Sequence, residues 1–229
     1  YEISVRDWSS DVCSSDRAMI QFRSFTPADR DNLVNALGNK ITVQESAWNC
    51  SIGVTPNEQK KPYNDKRVRR ALTLALDRWE GSKALSKIAL VKEVAGIQVP
   101  GTPFATPPAE LEKLAGYGRD ITAARAEARR LLKEAGVENL SFTLVNRGVP
   151  QPYEPFGIWL IDQWRQIGVS VQHKVLETSA WFQALRQGDF EVAVTAPCNS
   201  IVEPDMDIHW FLTTSPVNYG QRSDRKSVV

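Results

Sequence analysis

Residues 169–194, VSVQHKVLETSAWFQALRQGDFEVAV, place two alternating apolar stretches on either side of an amphipathic one. In both stretches every second residue is apolar, except that His173 takes one of these positions. The alternating residues are Val169, Val171, His173 and Val175 in the first stretch, and Phe190, Val192 and Val194 in the second. Such alternation predicts strands, because successive side chains of a strand point to opposite faces. Between them, a helix is expected to begin at Thr178 or Ser179 and to end at Gly188. The stretch therefore predicts a strand, a helix and a second strand in succession.

The same alternation of elements extends towards the N-terminus. Residues 140–145 predict a strand, and residues 155–167 predict a helix that Gly168 ends. Before them, a helix is expected to begin at Asp120 and to end at Gly136. Three strands separated by helices predict an α/β fold built of parallel βαβ units with right-handed crossovers. In such sheets ligands bind beyond the carboxyl ends of the strands, so we expect a binding site there.

The first half of the chain predicts less regular elements. A helix is expected at residues 26–37, followed by strands at 41–45 and 48–54. One longer helix is expected to start after Asp65 and to run through Trp79, with a further helical segment at 83–89. Four prolines and a glycine within nine residues exclude regular structure over 97–108. A loop of this length is more often functional than incidental.

Composition argues against several classes of function. The chain has 229 residues, with 28 Lys and Arg against 27 Asp and Glu, a formal net charge of +1. So balanced a charge creates no overall field for nucleic acid or an anionic membrane. No stretch approaches the roughly 20 apolar residues of a membrane span. The N-terminus has no pattern of a secretory signal, which carries little weight if the sequence is a fragment.

Catalytic motifs are absent from the sequence, which has no GxSxG, no HExxH and no phosphate-binding glycine loop. His173 lies in the alternation of a strand, which favours a hydrogen-bonded structural histidine. Cys50 and Cys198 are either two buried thiols or a pair, and no metal-binding spacing accompanies them. A thiol or metal-assisted hydrolase using Cys198 and His209 stays open as an alternative function. The acidic residues 203–207 indicate either a hard-cation site or a helix start.

Both ends of the chain look foreign to the protein. Residues 1–16, YEISVRDWSSDVCSSD, repeat Ser-Ser-Asp without a helical or strand period and resemble translated sequencing-adapter sequence. Residues 222–229 look similar. We predict that both segments are non-native and leave them out of the fold.

A resemblance to a known family is carried by residues 61–78, KPYNDKRVRRALTLALDR. This stretch resembles the signature of the family 5 extracellular solute-binding proteins, a Pro-aromatic pair, a capping Asp, Val-Arg-x-Ala and a final Asp-Arg. Further stretches are similar to the family in the same order: 100–103, 128–136, 160–169, 188–193 and 203–205. The resemblance covers residues 17–220.

The resemblance implies the fold, the organisation and the function. It implies an incomplete, periplasmic-binding-protein-like (type II) α/β lobe whose mixed sheet contains βαβ units. Residues 17–60 would join the lobes, and 61–221 would form the C-terminal solute-binding lobe. The implied function is that of a monomeric, non-enzymatic receptor in the periplasm, or lipid-anchored outside the cytoplasmic membrane, which delivers a peptide-like or other polar solute to an ABC permease. No cofactor and no nucleic acid are expected.

The candidate site residues are polar or aromatic groups at the predicted strand ends: Asn146, Arg147, Trp181, Cys198, Asn199, Ser200 and Glu203. Arg147 is expected to pair with a ligand carboxylate through two hydrogen bonds. Members of the family that bind dipeptides carry a tryptophan and an aspartate in the loop before the Asp-Pro segment. Residues 197–202, PCNSIV, contain no such charge, which argues against a simple dipeptide.

Overall fold

A computed structural model describes residues 26–43, 50–89, 91, 93–198, 201 and 203–222. The helices of these residues are α1 Pro27–Leu37, α2 Lys66–Leu74, α3 Arg78–Leu85, α4 Pro108–Leu111, α5 Ile121–Glu134, α6 Tyr153–Arg165, α7 Thr178–Gln187 and α8 Pro204–Ile208. The strands are β1 Gly53–Pro56, β2 Ser141–Arg147, β3 Ser170–Leu176 and β4 Val192–Thr195. Short 3-10 turns follow α1 at Gly38–Lys40 and α8 at His209–Phe211.

The four strands form one mixed sheet in the order β1-β4-β2-β3. β2 pairs in parallel with both β3 and β4, which confirms the predicted parallel units. β1 pairs with β4 antiparallel, so part of the segment predicted to join the lobes belongs to this sheet. All four residues of β4 are buried, because the strand lies between two others. The carboxyl ends of β2, β3 and β4 therefore share one edge of the sheet.

The helices of the second half begin and end near the residues that the sequence predicts. Asp120 accepts a hydrogen bond from Ala123 N at the start of α5, and Gly136 follows its end with a φ of 71°. Gly188 closes α7 in the left-handed conformation, with a φ of 67°. Because this conformation strains any residue with a Cβ atom, glycine at both positions ends the helix and turns the chain towards the next strand.

The prediction of one helix from Asp65 through Trp79 is wrong. The helix ends at Leu74, and a second one, α3, begins at Arg78 and runs past Gly81. The physical cause is Asp77, whose side chain accepts a hydrogen bond from Glu80 N and so caps a new helix. Gln163 of α6 holds this corner, because its Oε1 accepts a hydrogen bond from Asp77 N at 3.0 Å.

The two strands expected in the first half have different outcomes. Residues 41–43 form no strand, and the remainder of the predicted 41–45 strand lies outside the described residues. The strand expected at 48–54 is present as β1, but it begins only at Gly53. Residues 97–107 contain no helix or strand, as their prolines predict. None of the described helices is both long and apolar enough to cross a membrane.

The core is formed by the sheet and by the helices that pack against it. Its fully buried members include Leu144, Leu160, Trp164, Leu185 and Val192. Trp164 donates a hydrogen bond from Nε1 to Leu72 O at 3.0 Å, which ties α6 to α2. α6 packs on β2 and β3, and α7 packs on β2. These two helices therefore fix the loops that leave the strands at the predicted binding edge.

Candidate solute-binding site at the strand ends

Asn146, near the end of β2, is completely buried, with 0 % of its surface exposed. Its Nδ2 donates to Tyr153 O at 2.8 Å and lies 2.9 Å from His173 Nε2. Its Oδ1 accepts a hydrogen bond from Arg147 N at 2.9 Å. The Asn146 side chain therefore makes its hydrogen bonds to groups inside the protein. In this structure it organises the loop after β2 and does not face solvent.

The prediction of a structural histidine at position 173 is confirmed by its contact with Asn146. Burial lowers the pKa of His173, and the nearby carboxylate of Glu154 opposes that shift. Gly157 of α6 makes this packing possible. A Cβ atom there would overlap Asn146 Nδ2 and would lie 2.8 Å from His173 Nε2. The amide and the imidazole therefore fill the space that a larger residue at 157 would need.

Arg147 is the last residue of β2, and aromatic rings surround its guanidinium. The Cζ atom lies 5.5 Å from the ring centroids of Tyr153 and Phe182 and 5.7 Å from that of Trp181. Its Nε donates to Thr178 Oγ1 at 3.1 Å. Within the described part of the chain, Arg147 forms no ion pair with a carboxylate. The residue thus holds a positive charge at the binding edge, against the faces of aromatic rings that stabilise a cation.

Trp181, in the first turn of α7, forms the wall behind Arg147. Only 3 % of its surface is exposed, and its ring lies edge-on to Tyr153 at 5.7 Å and to Phe182 at 4.8 Å. Its buried Nε1 has no hydrogen-bond partner among the described residues. The helix is anchored at this point by Glu177, whose carboxylate accepts a hydrogen bond from Ser179 N at 2.8 Å.

The end of β4 is held by a disulfide bond between Cys198 and Cys50. The two residues also form an isolated antiparallel bridge that extends the β1–β4 pairing. The interpretation of two buried thiols is therefore wrong, and the paired alternative is right. Since the sulfur of Cys198 is bonded, it supplies no thiolate, so the thiol hydrolase is also wrong for this structure. The next two candidates, Asn199 and Ser200, lie outside the described residues.

The acidic segment after this loop is the start of a helix. Glu203 is exposed and precedes α8, but its side chain makes no capping hydrogen bond. Asp205 and Asp207 lie in the first turn, where the positive end of the helix dipole favours acidic residues. His209 Nδ1 contacts Met206 O of the same segment. No group of three or more His, Cys, Asp or Glu in the described residues is arranged to hold a metal ion.

The site also contains residues that the sequence did not single out. Tyr153 and Phe182 bring their rings to Arg147, and Thr178, predicted only as a helix start, accepts its hydrogen bond. Tyr153 and Thr178 lie in the first turn of a helix that follows a strand end, and Phe182 lies one turn further along α7. That position is itself a signal, because such turns border the ligand crevice of α/β sheets. Together the residues hold a half-buried guanidinium against aromatic rings, an arrangement suited to an anionic group of a solute.

The α/β architecture with its mixed sheet matches the class of periplasmic-binding-protein-like folds. The structure of the Escherichia coli murein tripeptide binding protein MppA superposes on it with a TM-score of 0.72 at 20% sequence identity, covering 89% of this chain and 39% of that chain. The family model for bacterial extracellular solute-binding proteins, family 5 (Middle), matches residues 17–219. The chain belongs to this family.

Two curated proteins of Escherichia coli strain K12 are similar in sequence. The periplasmic oligopeptide-binding protein OppA is 30% identical over 176 residues, 74% of this chain and 31% of that protein. The probable deoxycholate-binding periplasmic protein YgiS is 32% identical over 143 residues, 58% of this chain and 24% of that protein. The chain therefore spans between about a quarter and a third of the length of the curated relatives that it matches.

Proposed function

We propose that the protein captures a peptide-like or other polar solute outside the cytoplasm and delivers it to the permease of an ABC importer. In this proposal it acts as a monomer, in the periplasm or lipid-anchored at the outer face of the membrane, and it does not transform its solute. Family membership and the periplasmic relatives support the location and the transport role. The Cys50–Cys198 disulfide also supports it, because such bonds persist in oxidising compartments.

The observation that carries the proposal is the guanidinium of Arg147. It lies at the edge of the sheet where α/β proteins bind ligands, and it has no carboxylate partner among the described residues. A guanidinium donates in a fixed fork that matches the two oxygens of a carboxylate. Its Nε is already bonded to Thr178, so the terminal nitrogens are the donors that would meet the solute.

The remaining candidate residues have different parts in this proposal. Trp181 would form the apolar wall of the site, since it is buried against the aromatic rings beside Arg147. Cys198, Asn199, Ser200 and Glu203 would border the site on the β4 side. The proposal does not fix one solute, because similar proteins are described as binding an oligopeptide in one case and deoxycholate in another. The uncharged 197–202 loop makes a dipeptide the least favoured candidate.

A thermal-shift titration with trialanine and with carboxyl-amidated trialanine tests this proposal on the full chain. A solute that binds only the folded state raises the melting temperature, so trialanine is expected to raise it and the amide is not. Arg147→Gln should abolish the shift. Arg129→Gln, which removes a charge from the exposed face of α5, should leave it intact.

Two outcomes would contradict the proposal. Equal shifts in melting temperature with trialanine and its amide would show that Arg147 does not bind a carboxylate. Free alanine or dialanine in the recovered solution, at a rate that depends on the protein, would show turnover and therefore an enzyme. Chromatography of the titrated sample detects both products.

A further inference from the structure

We propose that Asn146 is a positioning residue that holds Arg147 and Tyr153 in their binding arrangement, and that it does so only while His173 is neutral. Solute capture would then weaken when the surroundings become acidic. This inference rests on the proposed function, because it assigns a regulation to the same site. It is carried by the hydrogen bonds of one buried amide.

The orientation of the Asn146 amide is fixed by two backbone groups whose roles are unambiguous. Arg147 N can only donate, so the atom that it contacts is the amide oxygen. Tyr153 O can only accept, so the atom 2.8 Å from it is the amide nitrogen. The same nitrogen lies 2.9 Å from His173 Nε2. His173 must therefore accept through an unprotonated Nε2, which places its proton on Nδ1.

These bonds close the loop that carries the site. Asn146 joins the backbone of Arg147 to that of Tyr153, the two ends of the connection between β2 and α6. The guanidinium of Arg147 lies against the ring of the same Tyr153, at 5.5 Å from its centroid. Gly148 N donates to Leu176 O at 2.7 Å and holds the loop to the end of β3. A displaced amide would therefore move the cation and one of its aromatic neighbours together.

Protonation of His173 is incompatible with this arrangement. The imidazolium donates from both nitrogens, so its Nε2–H would face the N–H groups of Asn146. The strand register places Leu144 opposite His173 and Asn146 opposite Val175, so the amide and the imidazole share a face of the sheet beneath α6. Gly157 packs directly against both side chains, so the two donors cannot separate towards α6. One of the two side chains must then leave its position.

The charged groups near His173 set the pH at which this happens. Glu154 lies in α6. On β3, Lys174 is the neighbour of His173, and Arg147 is the only charged residue of β2. Burial lowers the pKa of His173 from 6.5, and Glu154 partly offsets that effect. Since the unfolded chain binds this proton more readily, the neutral arrangement is fully stable above pH 6.5. It loses stability as the pH falls from there towards the lower pKa of the folded protein.

Nitrogen-15 NMR of the full chain tests the inference without any solute. The spectra follow both histidine rings, the Arg147 Nε–H and the Trp181 Nε1–H between about pH 7.5 and pH 4.5. We expect the Arg147 signal to shift with the midpoint of His173. His173→Gln should abolish this shift, while His209→Gln, which removes the only other histidine, should keep it. An Arg147 signal that stays constant while His173 titrates would overturn the inference.

A second variant applies the same test without touching the hydrogen bond. Glu154→Gln removes the charge that opposes the lowered pKa of His173, so the midpoints of His173 and Arg147 should both move to lower pH. A movement of the His173 midpoint alone would show that the two groups are not coupled. This variant decides the question if His173→Gln does not fold.

Titration with trialanine then links the arrangement to capture. The wild-type protein should lose affinity by about tenfold between pH 7.5 and a pH about one unit below the His173 midpoint measured by NMR, the size expected for a lost buried hydrogen bond. The His173→Gln variant should lose far less of its affinity for trialanine over the same pH range. No trialanine binding at either pH would contradict the proposed function and leave the NMR result as the measure of Asn146. Binding of equal strength at both pH values would overturn the inference alone.

Discussion

The two sides of the candidate site are held in place by different means. On the β2 side, Arg147 depends on a buried amide, a neutral histidine and the packed rings of Tyr153 and Trp181. On the β4 side, the exposed Cys198 is fixed by its covalent bond to Cys50. The difference indicates that the charge presented to the solute depends on close packing. The described part of the β4 side is held by the disulfide and by the hydrogen bond from Ser51 N to Pro197 O.

Replacement of Trp181 should be the most damaging change on the β2 side. Trp181→Ala leaves a cavity beside the rings of Tyr153 and Phe182, which should cost about 3–5 kcal/mol in the free energy of unfolding. Trp181→Phe keeps a ring and removes a buried Nε1–H that has no partner among the described residues, so its loss of stability should stay below about 1.5 kcal/mol. Urea denaturation measures both values. Equal losses for the two variants would mean that the packed ring is not what stabilises this side.

Removal of the disulfide should be the most damaging change on the β4 side. Its two cysteines are 148 residues apart in sequence, so the bond closes a very long loop in the unfolded chain. Cys50→Ala combined with Cys198→Ala should lower the free energy of unfolding by about 2–4 kcal/mol. Reductant should destabilise the wild-type protein similarly and leave the double variant unchanged. The Arg147 Nε–H signal should stay where it is, and its displacement would show that the two sides are not independent.

The sequence predicts the βαβ part of the fold because local signals agree there. Alternating strands, amphipathic helices and glycines at the helix ends all point to the same elements. Asp77 shows where such reasoning fails, because one capping carboxylate divides a stretch whose apolar periodicity continues unbroken. The disulfide could not be derived, since no local pattern connects Cys50 with Cys198.

For the site, the sequence predicts the correct edge of the sheet but not the direction of each side chain. Asn146 and Arg147 are neighbours, and both were expected to line the crevice. Successive residues of a strand point to opposite faces, so the two side chains diverge. Asn146 shares the face of Leu144, two positions before it, and is completely buried, whereas Arg147 is half-buried. The partner of Asn146, His173, comes from another strand, which only the tertiary fold brings close.

Truncation of Asn146 should have an intermediate effect on stability. Asn146→Ala removes hydrogen bonds to Arg147, Tyr153 and His173 and leaves a space beside Gly157. The expected loss in the free energy of unfolding is about 1–3 kcal/mol. Asn139→Ala is the matched control, because that asparagine is exposed in the turn before β2, and it should change little. A loss of similar size in both variants would rule out a special role for the buried amide.

The smallest effects are expected where a glutamate begins a helix on each side of the site. Glu203→Ala should change the free energy of unfolding by less than about 0.5 kcal/mol, because the exposed side chain caps nothing. Glu177 caps α7, and its hydrogen bonds with Ser179 hold the pKa of the carboxyl below 4.5. Its contribution is present above pH 4.5 and fades as the pH falls further. Melting temperatures measured between about pH 7 and pH 3.5 check this. Glu177→Gln should melt below wild type at pH 7 and approach it only at low pH, whereas Glu203→Ala should melt with wild type throughout. A larger drop in melting temperature for Glu203→Ala than for Glu177→Gln would contradict this comparison, because the β4 side would then be the more sensitive one.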